Sequence, residues 1–151
     1  AGLSSEGLDR KIAAIKKAIA LNRPQKDDII DVLAKVGGLD IAGMTGVFLG
    51  GAALRIPVVI DGFISSVAAL CAARMKPEAK GFMMASHLSK EPASAMVLVA
   101  LGLEGCLTCD MRLGEGTGAV TLYPILDIAI AVYNGMSTFE ENEMETYVPL
   151  S

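Results

Sequence analysis

Ile56-Pro57-Val58-Val59-Ile60-Asp61-Gly62-Phe63-Ile64 is the stretch that decides the fold. Val58-Val59-Ile60 is a short, continuous apolar run, the mark of a strand buried on both faces. It is entered through Pro57 and left through Asp61-Gly62, and residues 63–73 then take helical spacing. A second run, Phe82-Met83-Met84-Ala85, ends in the same way at Ser86-His87. A strand, a helix and a second strand in succession predict a parallel sheet, because parallel neighbours need a crossover between them. Residues 107–113 are read as a third strand leading into Met111-Arg112-Leu113-Gly114-Glu115-Gly116-Thr117-Gly118. The expected fold class is α/β: a parallel sheet with helices on both faces, Rossmann-like.

Helices fill the rest of the chain. Ser4-Ser5-Glu6 has the N-cap and first-turn acid of a helix start, and Leu8, Ile12, Ile15 and Ile19 follow at helical spacing until Pro24 stops it. Asp27-Asp28 opens a second short helix closed by Gly37-Gly38, and residues 39–54 form a third, rich in Gly and Ala. Glu91-Pro92 starts a helix that ends at Gly102, since Pro is at home in a first turn. Residues 117–136 form the long last helix, and the acidic tail, 137–151, is expected to be irregular. The whole, 1–151, is read as one α/β domain; a sheet of two or three strands is thin, and Ala1 stands where Met is expected, so the chain is expected to be the carboxy-terminal part of a larger fold or a processed form.

Composition removes several functional classes. The net charge is -4, no basic block exists and aromatics are 5%, which excludes an electrostatic nucleic-acid binder. Apolar residues reach 52% and mean hydropathy is +0.50, so the chain either packs tightly or needs a partner over exposed apolar surface. A homodimer is expected, through the apolar last helix. That helix approaches the ~20 residues a bilayer span needs, but Gly118, Pro124, Asp127 and Asn134 interrupt it, and no membrane association is expected. Cys71, Cys106 and Cys109 are an odd set without a targeting segment, pointing to the cytoplasm. Cys106 and Cys109 have CxxC spacing, yet no second pair accompanies them and His87 is the sole histidine, so they are read as ordinary thiols and no metal is expected.

In parallel sheets ligands bind beyond the carboxyl ends of the strands. Asp61-Gly62, Ser86-His87 and the glycine loop 114–118 all belong there. Glycines let a ligand approach the backbone closely, and the amides opening the following helix favour anions. Glu115, set among three glycines, is either a helix-start carboxylate or a base facing a ligand. The loop is not a P-loop, because no Lys follows its last glycine. Lys11 stands on a face of the first helix that reads as solvated, and Ser89 reads as a cap before Glu91-Pro92. Asp61 and Gly62 stand where a carboxylate could meet sugar hydroxyls, or form a turn. Arg112 and Leu113 flank Glu115, and Leu113 offers an apolar wall; Arg112 could equally be a salt-bridge partner. His87 beside Ser86 reads more readily as a hydrogen-bonded structural group than as a catalyst.

Lys35-Val36-Gly37-Gly38-Leu39-Asp40-Ile41-Ala42, the stretch from Ile56 to Ile64, Ser86-His87-Leu88-Ser89-Lys90-Glu91-Pro92 and the run from Met111 to Gly118 together resemble one family. It is the nicotinate-nucleotide–dimethylbenzimidazole phosphoribosyltransferases of cobalamin biosynthesis. The resemblance spans nearly the whole chain and fits the family's carboxy-terminal half. It departs at Ala93-Ser94, where the family commonly has Gly-His, and in a longer, more acidic tail from Phe139. The resemblance implies transfer of phosphoribose from nicotinate mononucleotide to a benzimidazole, releasing nicotinate and forming α-ribazole phosphate. It implies no cofactor. Glu115 matches the family's catalytic base; Lys11 and Ser89, with the backbone of Gly114 and Gly116, match positions used near the phosphate. The other reading is a non-catalytic or truncated domain that binds a phosphate or nucleotide without a complete site.

Overall fold

The computed structural model describes residues 5–145. In chain order its elements are α1 (Ser5–Asn22), α2 (Ile29–Val36), α3 (Leu39–Leu54), β1 (Val58–Ile60), α4 (Phe63–Met75), a 3-10 turn (Pro77–Phe82), β2 (Met83–Ala85), α5 (Ser94–Leu101) and α6 (Thr117–Gly135). β1 and β2 pair in parallel, with Val58 opposite Met83, Val59 opposite Met84 and Ile60 opposite Ala85. The fold is therefore α/β, built on a small parallel sheet.

The core lies between the sheet and helices α3, α4 and α5. Ile60, Met83 and Ala85 from the strands meet Phe48 of α3, Ala68, Ala69 and Ala72 of α4, and Leu98 and Leu101 of α5. Alanines on the buried side of α4 let it approach α3 closely. There Thr45 uses its hydroxyl on the carbonyls of Ile41 (2.8 Å) and Ala68 (3.3 Å), so a buried polar group carries no unsatisfied atom. Ser65 holds the start of α4: its hydroxyl accepts from Gly62 N–H at 2.9 Å and donates to Gly62 C=O at 3.0 Å. Asp28 caps α2 by accepting from Asp31 N–H at 3.1 Å.

Three expectations from the sequence need correction. Residues 107–113 do not form a strand; the segment from Cys106 to Met111 follows the extension of β2, with a single parallel bridge between His87 and Leu107. Its amides and carbonyls still pair, Cys106 N–H to Ala85 C=O at 3.1 Å and Lys90 N–H to Met111 C=O at 3.0 Å. A left-handed Asp110, with φ of 52°, turns the chain before a ladder can propagate. Phe82 closes a 3-10 turn rather than opening β2. Helix α5 starts at Ser94, because Ser94 N–H bonds Glu91 C=O in a turn that holds Pro92 outside the helix. Gly37 ends α2 as the sequence predicts, in an extended conformation with φ of -83°, its N–H closing back on the carbonyls of Val32 and Leu33. The anticipated cap Ser4, and the tail beyond residue 145, lie outside the described residues.

Helix α1 forms as the spacing predicts but buries none of its residues. Its apolar stripe, Leu8, Ile12, Ile15 and Ile19, stays 41–50% exposed. A short joint holds the α1–α2 link. Asp31 accepts from Gln25 N–H at 2.7 Å and pairs with Lys35, and Lys35 Nζ also reaches Arg23 C=O at 3.3 Å. The Lys35 ammonium and the Gln25 amide hold the Asp31 carboxyl below its ordinary value. Helix α6 is long and apolar enough to cross a membrane by length and composition alone, and only 11% of that stretch is buried.

Candidate active site

The strand exits and the glycine loop converge. Lys11, Asp61, Gly62, Ser89, Arg112, Leu113, Gly114, Glu115 and Gly116 all line one cleft of about 610 Å³. Every candidate site residue named from the sequence is therefore brought to the same place, from α1, the end of β1, the extension of β2 and the loop before α6. Two other hollows, of about 410 and 170 Å³, are smaller and carry none of these residues. The cleft is also lined by His87, which the sequence put at the same strand ends but read as structural, and by Met44, Phe63, Ile64, Ser65 and Glu91, which the sequence reading did not place in a site.

Asp61 sets the geometry of the loop. Its Oδ2 accepts from Gly116 N–H at 3.1 Å and its Oδ1 from Ala119 N–H at 3.0 Å. A carboxylate at the exit of β1 thus caps the first turn of α6, more than fifty residues away, where the helix dipole favours negative charge. The amides that sequence reasoning offered to a ligand anion are in part occupied by this internal one. Asp61 is neither a simple turn residue nor free to offer a bare carboxylate to a sugar. Contact over that sequence separation leaves no local signal, so only the fold exposes this role.

The loop itself runs left-handed at three successive residues: Gly114 (φ 79°), Glu115 (φ 58°) and Gly116 (φ 81°). Glycine takes this conformation freely, but Glu115 does not, at a cost of roughly 1–2 kcal/mol. Thr117 fastens the turn, donating from N–H (3.1 Å) and Oγ1 (2.7 Å) to Gly114 C=O. The strain is retained where the one carboxylate of the loop is held exposed at the cleft. Glu115 itself is exposed.

Beneath the loop lies His87, buried to 6% exposure. Gly118 is required by this packing: a Cβ there would collide with His87 Cε1 and Nδ1 and come within 2.7 Å of Asp61 C=O. Ser86 joins the two strand ends, its Oγ lying 2.8 Å from Asp61 C=O and 2.9 Å from His87 Nδ1.

The remaining groups are arranged by charge. Lys11 and Arg112 bring two cations to the cleft, both exposed, and neither forms an ion pair among the described residues. The alternative for Arg112, a plain salt bridge, is therefore not what the fold builds. Lys90 nearby does pair, with Asp110 at 3.0 Å, and pins the segment preceding Arg112. Ser89 accepts a long bond from Glu91 N–H at 3.4 Å, leaving its hydroxyl proton for another acceptor. Two cations, hydroxyls, carboxylates and the apolar side chains of Leu113, Phe63 and Met44 suit a ligand that carries anionic, polar and apolar parts.

Comparison with known proteins agrees with this chemistry. A family model described as phosphoribosyltransferase matches residues 1–144. The nicotinate-nucleotide–dimethylbenzimidazole phosphoribosyltransferase of Acetivibrio thermocellus is 56% identical over 149 residues, covering 99% of this chain and 42% of the relative. The enzyme of the same name from Ruminiclostridium cellulolyticum is 52% identical over 150 residues, covering 99% and 43%. The crystal structure of CobT from Thermus thermophilus superposes with a TM-score of 0.85 at 39% identity, covering 95% of this chain and 43% of that one. The chain thus spans about two fifths of the length of the curated relatives it matches. With the fold, the cleft and the matched length in agreement, the chain belongs to the phosphoribosyltransferase family.

Proposed function

We propose that the protein transfers phosphoribose from nicotinate mononucleotide to dimethylbenzimidazole, giving α-ribazole phosphate and nicotinate for the lower ligand of cobalamin. The observation that carries this reading is the gathering of all nine sequence-selected residues around one cleft. In the reaction the bond from ribose C1′ to the pyridinium nitrogen breaks and its electron pair leaves with nicotinate. A benzimidazole nitrogen bonds to C1′, and the azole's N–H proton passes to the Glu115 carboxylate. Glu115 acts as general base from a loop that points it into the cleft. Lys11, Arg112 and Ser89 hold the phosphate end; an ammonium, a guanidinium and a hydroxyl all donate to phosphate oxygens. Leu113 forms apolar wall against the flat base, and Gly62, Gly114 and Gly116 let substrate approach the backbone. Asp61 acts as a positioning residue, fixing the loop that carries Glu115.

The same proposal takes residues 1–151 as one Rossmann-like unit with an acidic tail from 137, acting in the cytoplasm as a homodimer. The exposed apolar residues of α6, among them Val120, Tyr123, Ile128 and Tyr133, supply the surface such a dimer would cover. A membrane-spanning α6 would put Asp127 in hydrocarbon and remove the capped first turn from water.

The test uses the natural protein carrying this sequence. It is incubated with nicotinate mononucleotide and dimethylbenzimidazole, and both nicotinate and α-ribazole phosphate are measured by mass spectrometry. Equimolar appearance of the two is expected. Tight binding of nicotinate mononucleotide with neither product would support the second reading, a non-catalytic phosphate-binding domain. The exposure of Glu115, which leaves the base open to water, is the observation favouring it.

A further inference from the structure

His87 has one ring nitrogen whose role the fold settles and one whose role it leaves to a ligand. Ser86 Oγ carries a single proton. At 2.8 Å from Asp61 C=O, which can only accept, that proton is donated to the carbonyl. The contact of 2.9 Å to His87 Nδ1 must then run the other way, Nδ1–H donating to Ser86 Oγ. The neutral imidazole is thereby held with its proton on Nδ1 and a lone pair on Nε2. Nε2 has no hydrogen-bond partner among the described residues, yet no fully sealed polar side-chain atom there lacks one. Nε2 is consequently open, and His87 is among the residues that line the cleft. The ring cannot swing away, because Gly118 packs against Cε1 and Nδ1 and Gly62 lies beside Cε1 and Nε2.

We infer that His87 Nε2 accepts a hydrogen bond from a ribose hydroxyl of the phosphoribosyl substrate, with Ser86 as the positioning residue that fixes its tautomer. The inference rests on the function proposed above and deepens it. A ribose bound in this cleft needs acceptors for its hydroxyls. Asp61, the carboxylate at the strand exit, already accepts from α6 through each oxygen, and the side chain of Glu91, the other carboxylate of the lining, is held by no hydrogen bond among the described residues that would preset it. The cations Lys11 and Arg112 donate only. Glu115 stands on a projecting loop and carries the base role. His87 Nε2 is the neutral acceptor, preset in orientation, at the floor where β1 and β2 end. A preset neutral acceptor suits a hydroxyl, which is a donor, and does not suit phosphate or carboxylate oxygens.

The test pairs two substitutions with two substrate analogues. His87→Asn can keep the donor to Ser86 but offers nothing at the Nε2 position; His87→Gln can place its Oε1 near Nε2 while losing the Ser86 contact. Affinity for nicotinate mononucleotide and for its 2′-deoxy and 3′-deoxy forms is measured by calorimetry, with circular dichroism as the folding control. In the unaltered protein one deoxy form should bind about tenfold more weakly than the parent, the scale of one neutral hydrogen bond. His87→Asn should bind the parent about tenfold more weakly and no longer distinguish that deoxy form, and His87→Gln should recover part of both. A purely structural histidine predicts the opposite order, with His87→Asn the milder change. That order, or an unaltered protein that binds all three ligands equally, overturns the inference while leaving the proposed function standing. If neither variant folds, equal binding of the three ligands by the unaltered protein still overturns the inference, and His87→Ala, with added imidazole restoring the discrimination, supplies the supporting arm. Failure of the unaltered protein to bind nicotinate mononucleotide at all overturns the proposed function and the inference with it.

Discussion

Replacing Asp61 with Asn changes one oxygen into an amide and removes one charge, so it tests directly whether this carboxylate caps α6. Both Asp61 oxygens accept from backbone amides, Gly116 at 3.1 Å and Ala119 at 3.0 Å. In the variant one of those amides faces an NH2 group, and a hydrogen bond to a charged acceptor, worth ~1.5–3 kcal/mol, is lost. The charge at the helix N-terminus contributes a further ~0.3–1 kcal/mol. Together these give a destabilisation of about 2–4 kcal/mol, or a fall in Tm of about 4–16 °C at roughly 2–4 °C per kcal/mol for a chain of this size. Hydrogen exchange locates the effect: the Gly116 and Ala119 amides should lose protection by ~30-fold or more, the factor for 2 kcal/mol, while Ile60 and Ala85 in the sheet change less. A residue that served only to bind ribose would behave otherwise, with weaker substrate binding at an unchanged Tm and unchanged exchange. That result would refute the capping argument.

Other substitutions separate chemistry from stability. Glu115→Gln should lower kcat by ~10²–10⁴, the span for a general base, with substrate affinity nearly kept; near-normal turnover would take Glu115 out of that role. Glu115→Gly should abolish turnover yet stabilise the fold by about 1 kcal/mol, because the residue sits left-handed at φ 58°; a less stable variant in urea denaturation would count against stored strain. Gly118→Ala should destabilise by ~1–3 kcal/mol through overpacking against His87 and Asp61, and a double-mutant cycle with His87→Ala should show coupling between the two sites. Burial pushes the Cys71 thiol up, while Cys106 and Cys109 are exposed. Iodoacetamide at pH 8 should therefore alkylate Cys71 last, as mass mapping can show. The sign for stability follows. The Cys71 contribution is intact below the unfolded-state value of 9.0 and declines as pH rises from there through the folded-state value.

The parts of the fold that local sequence controls were legible in it. Val58–Ile60, Leu39–Leu54 and the start of Thr117–Gly135 stand where apolar runs, spacing and glycine punctuation put them. The third strand failed because 106–111 has the apolar content of a strand and most of its pairing, but a left-handed Asp110 interrupts it, and nothing in a propensity argument reveals that φ. The exposure of Leu8, Ile12, Ile15 and Ile19 was equally invisible, since periodicity shows that a helix has an apolar face and not what covers it. The site was legible as a set of residues because glycines and polar groups cluster at strand ends in α/β sheets. Its internal wiring was not. Asp61 to Ala119 spans 58 positions, and the tautomer of His87 depends on Ser86 giving its single proton to Asp61 C=O.

That wiring bears on how the site combines rigidity with strain. Glu115 is the one non-glycine among three consecutive left-handed residues, and its side chain makes no hydrogen bond among the described residues. Nothing attached to Glu115 itself therefore holds it in place. The restraint comes from either side: Thr117 closes the turn onto Gly114 C=O, and Asp61 ties Gly116 and Ala119 to the end of β1. Asp61 C=O in turn accepts from Ser86, which orients His87, and His87 packs on Gly118 in the first turn of α6. The chain of contacts closes on itself around the cleft, so the strained carboxylate and the preset imidazole share one support. Strain of ~1–3 kcal/mol persists only where the surroundings over-determine it. Removing Asp61, Ser86 or Gly118 should for that reason disturb both the Glu115 loop and the His87 ring, whereas removing Glu115 should disturb neither.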